Sequence, residues 1–149
     1  MMEQSPNAPR PSSTGHSLRW YTVVIDAHDI HAQARWWAGV LDWQIIFEND
    51  EEVAVIPSDL ADEGEVPAER WHRTGPGLVF VPVAEGKTVK NRLHIDLAPH
   101  ADDDRDAQIQ RLLDAGATRA DVGQGDSVTW TVLADPEGNE FCVLSSRTR

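Results

Sequence analysis

The chain is poor in cysteine, in basic residues and in long apolar stretches. Because its single cysteine, Cys142, cannot form an internal disulfide, we expect the reducing cytoplasm as its compartment. Thirteen Lys and Arg residues stand against twenty-five Asp and Glu residues, which leaves a formal net charge of −12. A surface this acidic repels nucleic acid and anionic lipid and attracts cationic small molecules. No apolar stretch approaches the roughly 20 residues that a membrane span requires, so neither nucleic acid nor membrane is expected as a partner.

The length and the proportion of hydrophobic residues are typical of one globular domain. Of 149 residues, 40 % are hydrophobic and 26 % are charged, which excludes disorder of the whole chain. Residues 1–17 are rich in Pro, Ser, Asn and Gly and lack the apolar centre of a secretory signal. We therefore expect a flexible N-terminal tail over 1–17 and a folded domain over 18–146.

Apolar patterning predicts a strand, a helix and three further strands in the first half of the chain. The first strand covers 20–25, and Asp29 is a good N-cap for the helix that follows. Helical spacing predicts a buried stripe and leaves Gln33 and Arg35 facing water; the stripe contains Ile30, Ala34, Trp37 and Leu41. Strands are predicted at 43–47, 53–56 and 78–81, and the long polar stretch 57–77 is predicted to be a loop.

The same order of elements returns in the second half. A strand at 93–97 precedes a helix whose first turn is rich in aspartate, and three strands follow at 118–122, 128–133 and 141–144. One helix and four strands leave one face of a sheet uncovered, so two such units must pair to bury it. The predicted fold class is α+β, with two βαβββ units at about 18–83 and 91–146 forming one cupped mixed sheet. The helices lie outside, and the cavity within the cup is the default ligand site.

Three segments carry a resemblance to a known family: residues 29–43, 87–97 and 135–144. In this order, inside a doubled strand-helix unit, they resemble the vicinal-oxygen-chelate superfamily, which contains glyoxalase I, bleomycin-resistance proteins and extradiol dioxygenases. Within it, the sequence is most similar to the glyoxalase-like domain proteins common in actinobacteria. The resemblance covers about residues 18–146 and implies the cupped fold and a homodimer.

The resemblance also implies a place for a divalent metal. Metal-dependent members hold the ion on inward-facing residues of four strands, usually His and Glu, where it acts as a Lewis acid. The matching positions here are Thr22, Phe80, His94 and Cys142, with Arg92 as the alternative to His94 in a shifted register. One imidazole and one thiol are fewer than the three or four ligands that hold a metal firmly. We therefore expect no metal cofactor, and a divalent metal is the alternative.

Candidate site residues cluster near the predicted strands. His94 and Asp96 share one face of a strand, where they can bind a ligand or move a proton; the alternative is a hydrogen bond that only stabilises the sheet. Cys142 is either a small buried apolar group or, if His94 lowered its pKa, a nucleophile. Lys87 and Lys90 are interpreted as a solvated turn.

Two charged residues and two tryptophans complete the candidate ligand site. Asp26 and Arg92 lie in apolar strands, where charges need partners, so an Asp26–Arg92 or Asp96–Arg92 ion pair is predicted. The alternative makes Arg92 a clamp for a substrate carboxylate. Trp71 and Trp130 are candidates for ligand stacking, although Trp71 can instead anchor the long loop to the surface.

The sequence thus predicts a protein that captures a small organic molecule, cationic and aromatic, in the sheet cavity without the usual metal. The alternative is a lyase or isomerase of the glyoxalase type acting on an oxygenated small molecule, with His94 as base and Arg92 as clamp. One fold hosts many chemistries, so the resemblance alone does not decide between these functions.

Overall fold

The computed structural model describes residues 18–149, and the tail predicted for 1–17 lies outside the described residues. The predicted α+β fold with two βαβββ units is confirmed. Hydrogen bonding divides the strands into two four-stranded mixed sheets, one from each half of the chain. Within residues 18–149, no helix is both long and apolar enough to cross a membrane.

The first half forms a sheet with the strand order β1-β4-β3-β2, in which β1 and β4 are parallel. Its elements are β1 (Thr22–Ala27), α1 (Ile30–Leu41), β2 (Trp43–Glu48), β3 (Val53–Pro57) and β4 (Gly77–Pro82). The stretch predicted to be a loop contains a short helix α2 (Ser58–Glu63) and a 3-10 helix (Ala68–Arg73). The prediction of a loop was therefore wrong over these two short helices.

The second half repeats this topology with the strand order β5-β8-β7-β6, in which β5 and β8 are parallel. Its elements are β5 (Ile95–Leu97), α3 (Arg105–Asp114), β6 (Thr118–Arg119), β7 (Thr131–Ala134) and β8 (Glu140–Val143). Strands β5, β6 and β7 are shorter than the sequence predicts. Residues 120–130 leave the sheet as a loop instead of extending β6 and β7.

Helix α1 begins where the sequence predicts, because the Asp29 side chain accepts a hydrogen bond from the backbone N–H of Ala32 at 3.0 Å. The predicted stripe residues Ile30, Ala34 and Trp37 are buried, and Arg35 is exposed. Gln33 was wrongly predicted to face water: only 1 % of its surface is exposed. Its side-chain amide donates to the carboxylate of Asp135, which lies in the second half of the chain.

The two halves share one hydrophobic core. The indole ring of Trp37 on α1 packs edge-on against Phe141 of β8, with ring centroids 5.2 Å apart and an interplanar angle of 68°. Trp36 contacts the same phenyl ring at 5.9 Å. A helix of the first half therefore covers part of the second sheet, and burial of these aromatic rings stabilises the contact between the halves.

A turn between β7 and β8 provides a polar joint beside this core. Asp135 is 3 % exposed and accepts hydrogen bonds from the side chains of Gln33 and Trp37. The carboxylate of Glu137 accepts from the backbone N–H groups of His28 and Asp29 at 2.7 and 3.0 Å. The turn thus fixes the loop between β1 and α1 against the second half.

Each sheet has one buried face and one open face. In the first sheet, Ile25 and Phe80 are register partners on β1 and β4 and pack into the core, whereas Val24 and Val79 point to the other side. Val24 is 57 % exposed. A ligand can therefore reach the sheets only at their open faces. Because side chains alternate along a strand, every second residue of each strand lies on that face.

Candidate functional site

The open face of the second sheet borders a cavity of about 370 Å³. Its floor consists of strand residues, and one wall is formed by residues 122–124 of the loop between β6 and β7. The lining residues are Lys90, His94, Asp96, Val122, Gly123, Gln124, Trp130, Val132, Glu140, Cys142 and Leu144. The volume is at the lower end of the range for small-molecule sites, and the lining combines apolar side chains with a few convergent polar groups.

Sheet register brings the polar floor of this cavity together. Asp96 on β5 is paired with Cys142 on the parallel strand β8, and Cys142 is paired with Val132 on β7. Paired residues of neighbouring strands point to the same face, so these three side chains stand side by side. His94 precedes Asp96 by two residues and lines the same cavity.

The structure brings His94 and Asp96 into direct contact. The Nε2 atom of His94 lies 3.1 Å from Oδ1 of Asp96, and the two side chains are 43 % and 44 % exposed. A carboxylate at this distance holds the imidazole in one orientation and fixes which ring nitrogen carries the proton. The pair is therefore built to present the other ring nitrogen to a ligand.

Cys142 is buried at the floor of the cavity. Burial raises the pKa of its thiol, and the negative charge of Asp96 and a hydrogen bond to that carboxylate raise it further. The thiol is thus protonated at neutral pH, and the interpretation that His94 activates it as a nucleophile is not supported. The interpretation as a small buried group describes Cys142 better.

Asp96 adds a third metal-ligating group to His94 and Cys142, and it is not one of the four positions that the family resemblance implies. One donor atom from each of His94, Asp96 and Cys142 can be chosen so that all three lie within 4.8 Å of one another. Neither Thr22 nor Phe80, the matching positions in the first half, carries an imidazole or a carboxylate. The set of one nitrogen, one carboxylate oxygen and one sulfur fits zinc and similar late transition ions. It does not fit magnesium or manganese, which prefer several oxygen ligands.

Lys87 and Glu140 form a second polar contact at the edge of the cavity. Their side chains are 2.8 Å apart and 20 % and 14 % exposed. Lys87 as a whole is exposed, as the prediction of a solvated segment implies, but its ammonium is paired with a carboxylate and no turn forms there. Burial alone would raise the pKa of Glu140, but hydrogen bonds from Lys87, from its own backbone and from the backbone N–H of Asn91 outweigh burial and lower it. Glu140 has the same parity as Cys142 on β8, which is the sequence signal that could have placed it here.

The predicted site residues of the first half do not line this cavity. Thr22 and Asp26 lie on β1 with the parity of its open face. The assignment of Phe80 to a ligand site was wrong, since its side chain is 0 % exposed and packs in the core beneath the sheet. The open-face neighbours of Phe80 on β4 are Val79 and Val81.

Trp71 is occupied by contacts within the chain. Its ring lies 6.3 Å from that of Tyr21, and the Arg19 guanidinium lies 4.9 Å from the Trp71 ring centroid and 5.0 Å from the Tyr21 centroid. Arg19 also donates to the carbonyl of Gly75 at 3.2 Å. These contacts favour the interpretation that Trp71 anchors the long segment between β3 and β4. Trp130 alone of the two candidates lines the cavity, and it is 40 % exposed.

The ion pairs predicted for Arg92 do not form. Over residues 18–149, no carboxylate lies within salt-bridge distance of Arg92, and Asp96 contacts His94 instead of Arg92. Arg92 is exposed because it precedes β5, in a segment without regular structure, so its charge is solvated and needs no partner. Arg92 is not among the residues that line the cavity.

Comparison with known proteins identifies the fold and the family. The family described as "Glyoxalase-like domain" matches residues 22–144. A glyoxalase/bleomycin resistance protein/dioxygenase family enzyme from Burkholderia phytofirmans PsJN superposes with a TM-score of 0.62 at 16 % identity, covering 87 % of this chain and 100 % of that chain. The fosfomycin resistance protein FosX from Mesorhizobium loti gives a TM-score of 0.55 at 15 % identity, covering 89 % and 91 % of the two chains.

A glyoxalase-related enzyme from Fulvimarina pelagi gives a TM-score of 0.55 at 16 % identity, with 85 % and 86 % of the two chains covered. Comparison with curated proteins gives no significant match. At such identities the structural likeness establishes the fold alone. The family match covers most of the residues that form the two βαβββ units, and the chain therefore belongs to the glyoxalase-like domain family of the vicinal-oxygen-chelate superfamily.

Proposed function

We propose that this glyoxalase-like domain captures a small planar organic cation in the cavity of the second sheet, without the usual metal site of its superfamily. The observation that carries the proposal is the combination of a half-exposed Trp130 with the carboxylate of Asp96 in one cavity of about 370 Å³. An indole ring offers a stacking surface, and its face attracts positive charge.

Charge supports a cationic ligand. Glu140 is neutralised by Lys87, whereas no Lys or Arg within residues 18–149 pairs with Asp96, which contacts the imidazole of His94 and the thiol of Cys142. The exposed part of the Asp96 carboxylate can therefore accept a hydrogen bond from a cation. The net charge of −12 raises the concentration of cations around the whole molecule. Lys90 also lines the cavity, so the proposed ligand carries its charge on the side nearer Asp96.

Calorimetric titration of the EDTA-treated protein with three related rings tests this proposal. The rings are proflavine, a planar cation; acridine, which is uncharged at neutral pH; and acridine-9-carboxylate, an anion. We expect affinity to fall in that order, and Trp130→Ala to weaken proflavine binding about fivefold to tenfold through loss of stacking. Trp20→Ala is the matched control, since Trp20 is 68 % exposed and lies outside the cavity lining.

Two results would overturn the capture proposal. One is the absence of heat with all three rings. The other is equal loss of affinity in the Trp130 and Trp20 variants, which would place binding elsewhere on the surface.

A second candidate function is a lyase or isomerase, and the contact between His94 and Asp96 favours it. An imidazole oriented by a carboxylate can remove a proton from carbon next to a carbonyl group. We expect the protein to accelerate deuterium incorporation into hydroxyacetone in D₂O, measured by NMR, and His94→Gln to abolish the acceleration. An unchanged exchange rate with the unmodified protein would exclude this activity for small hydroxyketones.

We also propose an oligomeric state and a cellular compartment for this protein. From the resemblance, we infer a homodimer, which equilibrium sedimentation would detect as twice the chain mass of 16.5 kDa. The lone, buried Cys142 supports a cytoplasmic location, because the protein needs no oxidising compartment to fold.

A further inference from the structure

We propose that the ligand captured at the second sheet is an aromatic zwitterion, whose carboxylate binds the ammonium of Lys90. Its positive charge lies on a ring nitrogen and contacts Asp96, and its carboxylate lies on the opposite side of the same ring. This inference rests on the proposed capture of a planar cation and narrows the chemical class of that ligand. Lys90 thereby becomes a ligand-binding and specificity-determining residue.

Lys90 and Asp96 place opposite charges on the lining of one cavity. Within residues 18–149, the Lys90 ammonium pairs with no carboxylate and donates one hydrogen bond, to the carbonyl of Asn91 at 3.3 Å. In the same range, Asp96 pairs with no Lys or Arg, and its side chain is 44 % exposed. A simple cation is attracted by Asp96 and repelled by Lys90, whereas a carboxylate on the ligand turns the second interaction into an attraction.

Hydrogen bonds to Glu140 hold the segment around Lys90 at the edge of the cavity. The carboxylate of Glu140 accepts from Nζ of Lys87 at 2.8 Å and from the backbone N–H of Asn91 at 3.2 Å. The side chain of Asn91 also donates to that of Asn139 at 3.1 Å. The chain is thus tied to the start of β8 both before and after Lys90. Because Glu140 is already paired, it leaves the Lys90 ammonium available to a ligand.

The two charges lie at different levels of the sheet. Asn91, which accepts the hydrogen bond from Lys90, is bonded to Glu140. Asp96 is instead the register partner of Cys142, two residues further along β8, which is about 6.6 Å along a strand. Both charges act on the floor of the cavity: burial and the charge of Asp96 raise the pKa of the Cys142 thiol, and the charge of Lys90 lowers it.

The rest of the lining suits the ring that joins the two charges. Trp130 offers an indole face for stacking, and Val132 and Leu144 add apolar surface to the same cavity. A ring with its nitrogen and its carboxylate at opposite positions keeps the two charges apart. Each charge can then contact its own partner in the protein without neutralising the other.

The charge of the whole molecule favours a carboxylate over a phosphate as the anionic group. The net charge of −12 repels an organic molecule whose total charge is negative. A phosphate ester carries more than one negative charge at neutral pH and would give a singly charged ring a negative total. A carboxylate brings the total to zero, so an aromatic zwitterion can approach the acidic surface without repulsion.

Displacement of proflavine from the EDTA-treated full chain, followed by the fluorescence of the dye, tests this inference. Three competitors share one ring system: 1-methylquinolinium-4-carboxylate is the zwitterion, 1-methylquinolinium-4-carboxamide is the cation, and quinoline-4-carboxylate is the anion. The first two have nearly the same shape and differ in the charge of one substituent. We expect the zwitterion to displace proflavine at a concentration about threefold to fivefold lower than the cation, and the anion to be the weakest competitor.

Two single variants assign the contact with the carboxylate. Lys90→Met should reverse the order of zwitterion and cation, because the zwitterion loses its partner and the cation no longer meets a like charge. Arg92→Met is the matched control: it also removes one positive charge, and Arg92 is exposed and lies outside the cavity lining. This variant should keep the preference for the zwitterion. Both positions are exposed, and circular dichroism checks that each variant is folded.

The zwitterion inference is overturned if the unmodified protein binds proflavine but the zwitterion and the cation displace it equally, or if Lys90→Met keeps the preference. Loss of the preference in Arg92→Met would also overturn it, because Arg92 would then hold the carboxylate. Each of these results leaves the capture of a planar cation intact. Absence of proflavine binding would instead overturn the proposed function, and the zwitterion inference with it.

Discussion

At the scale of single residues, Asp135 joins the two halves of the chain from a buried position. It is 3 % exposed, and its Oδ2 atom accepts hydrogen bonds from Gln33 and from the indole N–H of Trp37. Its Oδ1 atom accepts from the backbone N–H groups of Glu137 and Asn139, both at 3.0 Å. The turn at 135–139, part of one of the segments that carry the family resemblance, thus stabilises the contact between the two halves of this chain.

We predict that Asp135→Ala lowers the free energy of unfolding by about 3 kcal/mol, because several buried donors lose their acceptor at once. Urea denaturation followed by circular dichroism measures the change. Asp121→Ala is the control: this exposed aspartate accepts a single hydrogen bond, from the backbone N–H of Gly123, and its loss should cost about 0.5 kcal/mol or less. Equal costs in the two variants would contradict the structural role of Asp135.

The sequence could predict single residues only where their neighbours along the chain decide their environment. Gln33 lies three residues after Ile30 and four before Trp37, so its position fits the buried stripe of α1. Because its side chain is polar, Gln33 was nevertheless predicted to face water. The reason for its burial is Asp135, a partner in the other half of the chain, and helical periodicity contains no information about such a partner.

At the scale of elements, apolar patterning located every strand of the first sheet, with ends that shift by up to two residues. The second sheet is less regular. Gly123 and Gly125 adopt φ values of +86° and +70°, which turn the chain out of the sheet between β6 and β7. The resulting loop forms a wall of the cavity, so the departure from the predicted strands is where the candidate site is built.

Two glycines at the element scale should respond in opposite directions to the same substitution. A Cβ atom at Gly77 on β4 would lie 2.8 Å from the carbonyl oxygen of Val55 and 2.9 Å from Cγ2 of Ile56. We predict that Gly77→Ala lowers the free energy of unfolding by about 2 kcal/mol, because the backbone of β3 would have to move.

Gly39→Ala is the matched variant in α1, where a Cβ atom would meet nothing within 4 Å. We expect it to stabilise the protein by about 0.5–1 kcal/mol, since alanine loses less conformational freedom than glycine in a helix. Urea denaturation of both variants checks the pair. A stabilising Gly77→Ala would show that β3 and β4 are not packed as closely as described.

At the scale of the whole molecule, three short sequence segments were enough to predict the fold. They were not enough to predict the candidate site, of which only part could be named from the sequence. His94, Asp96, Trp130 and Cys142 were all named from the sequence, and the structure places them in one cavity. Phe80 was wrongly assigned to the ligand site because side chains alternate between the two faces of a strand. An error of one residue in the alignment therefore moves a side chain from the open face to the core. The convergence of Asp96 with Cys142 depends on the pairing of two distant strands, which no local pattern reveals.

The contact between Lys87 and Glu140 links the segment between the two halves to the second sheet, and it should make the stability of the whole molecule depend on pH. The pKa of Glu140 is lowered in the folded protein. Its ionised form therefore contributes stability above the unfolded-state pKa of about 4.3, and this contribution is lost as the pH falls through the folded-state value.

We predict that Lys87→Met lowers the free energy of unfolding by about 1.5 kcal/mol at neutral pH, because a largely buried carboxylate loses its cation. Below the folded-state pKa of Glu140 the carboxyl is protonated in both proteins, so the difference should shrink there. Lys90→Met is the control, since within residues 18–149 the Lys90 ammonium pairs with no carboxylate and donates one hydrogen bond, to the carbonyl of Asn91 at 3.3 Å. Urea denaturation at neutral and acidic pH measures both variants, and a difference that does not depend on pH would mean that Lys87 acts through packing alone.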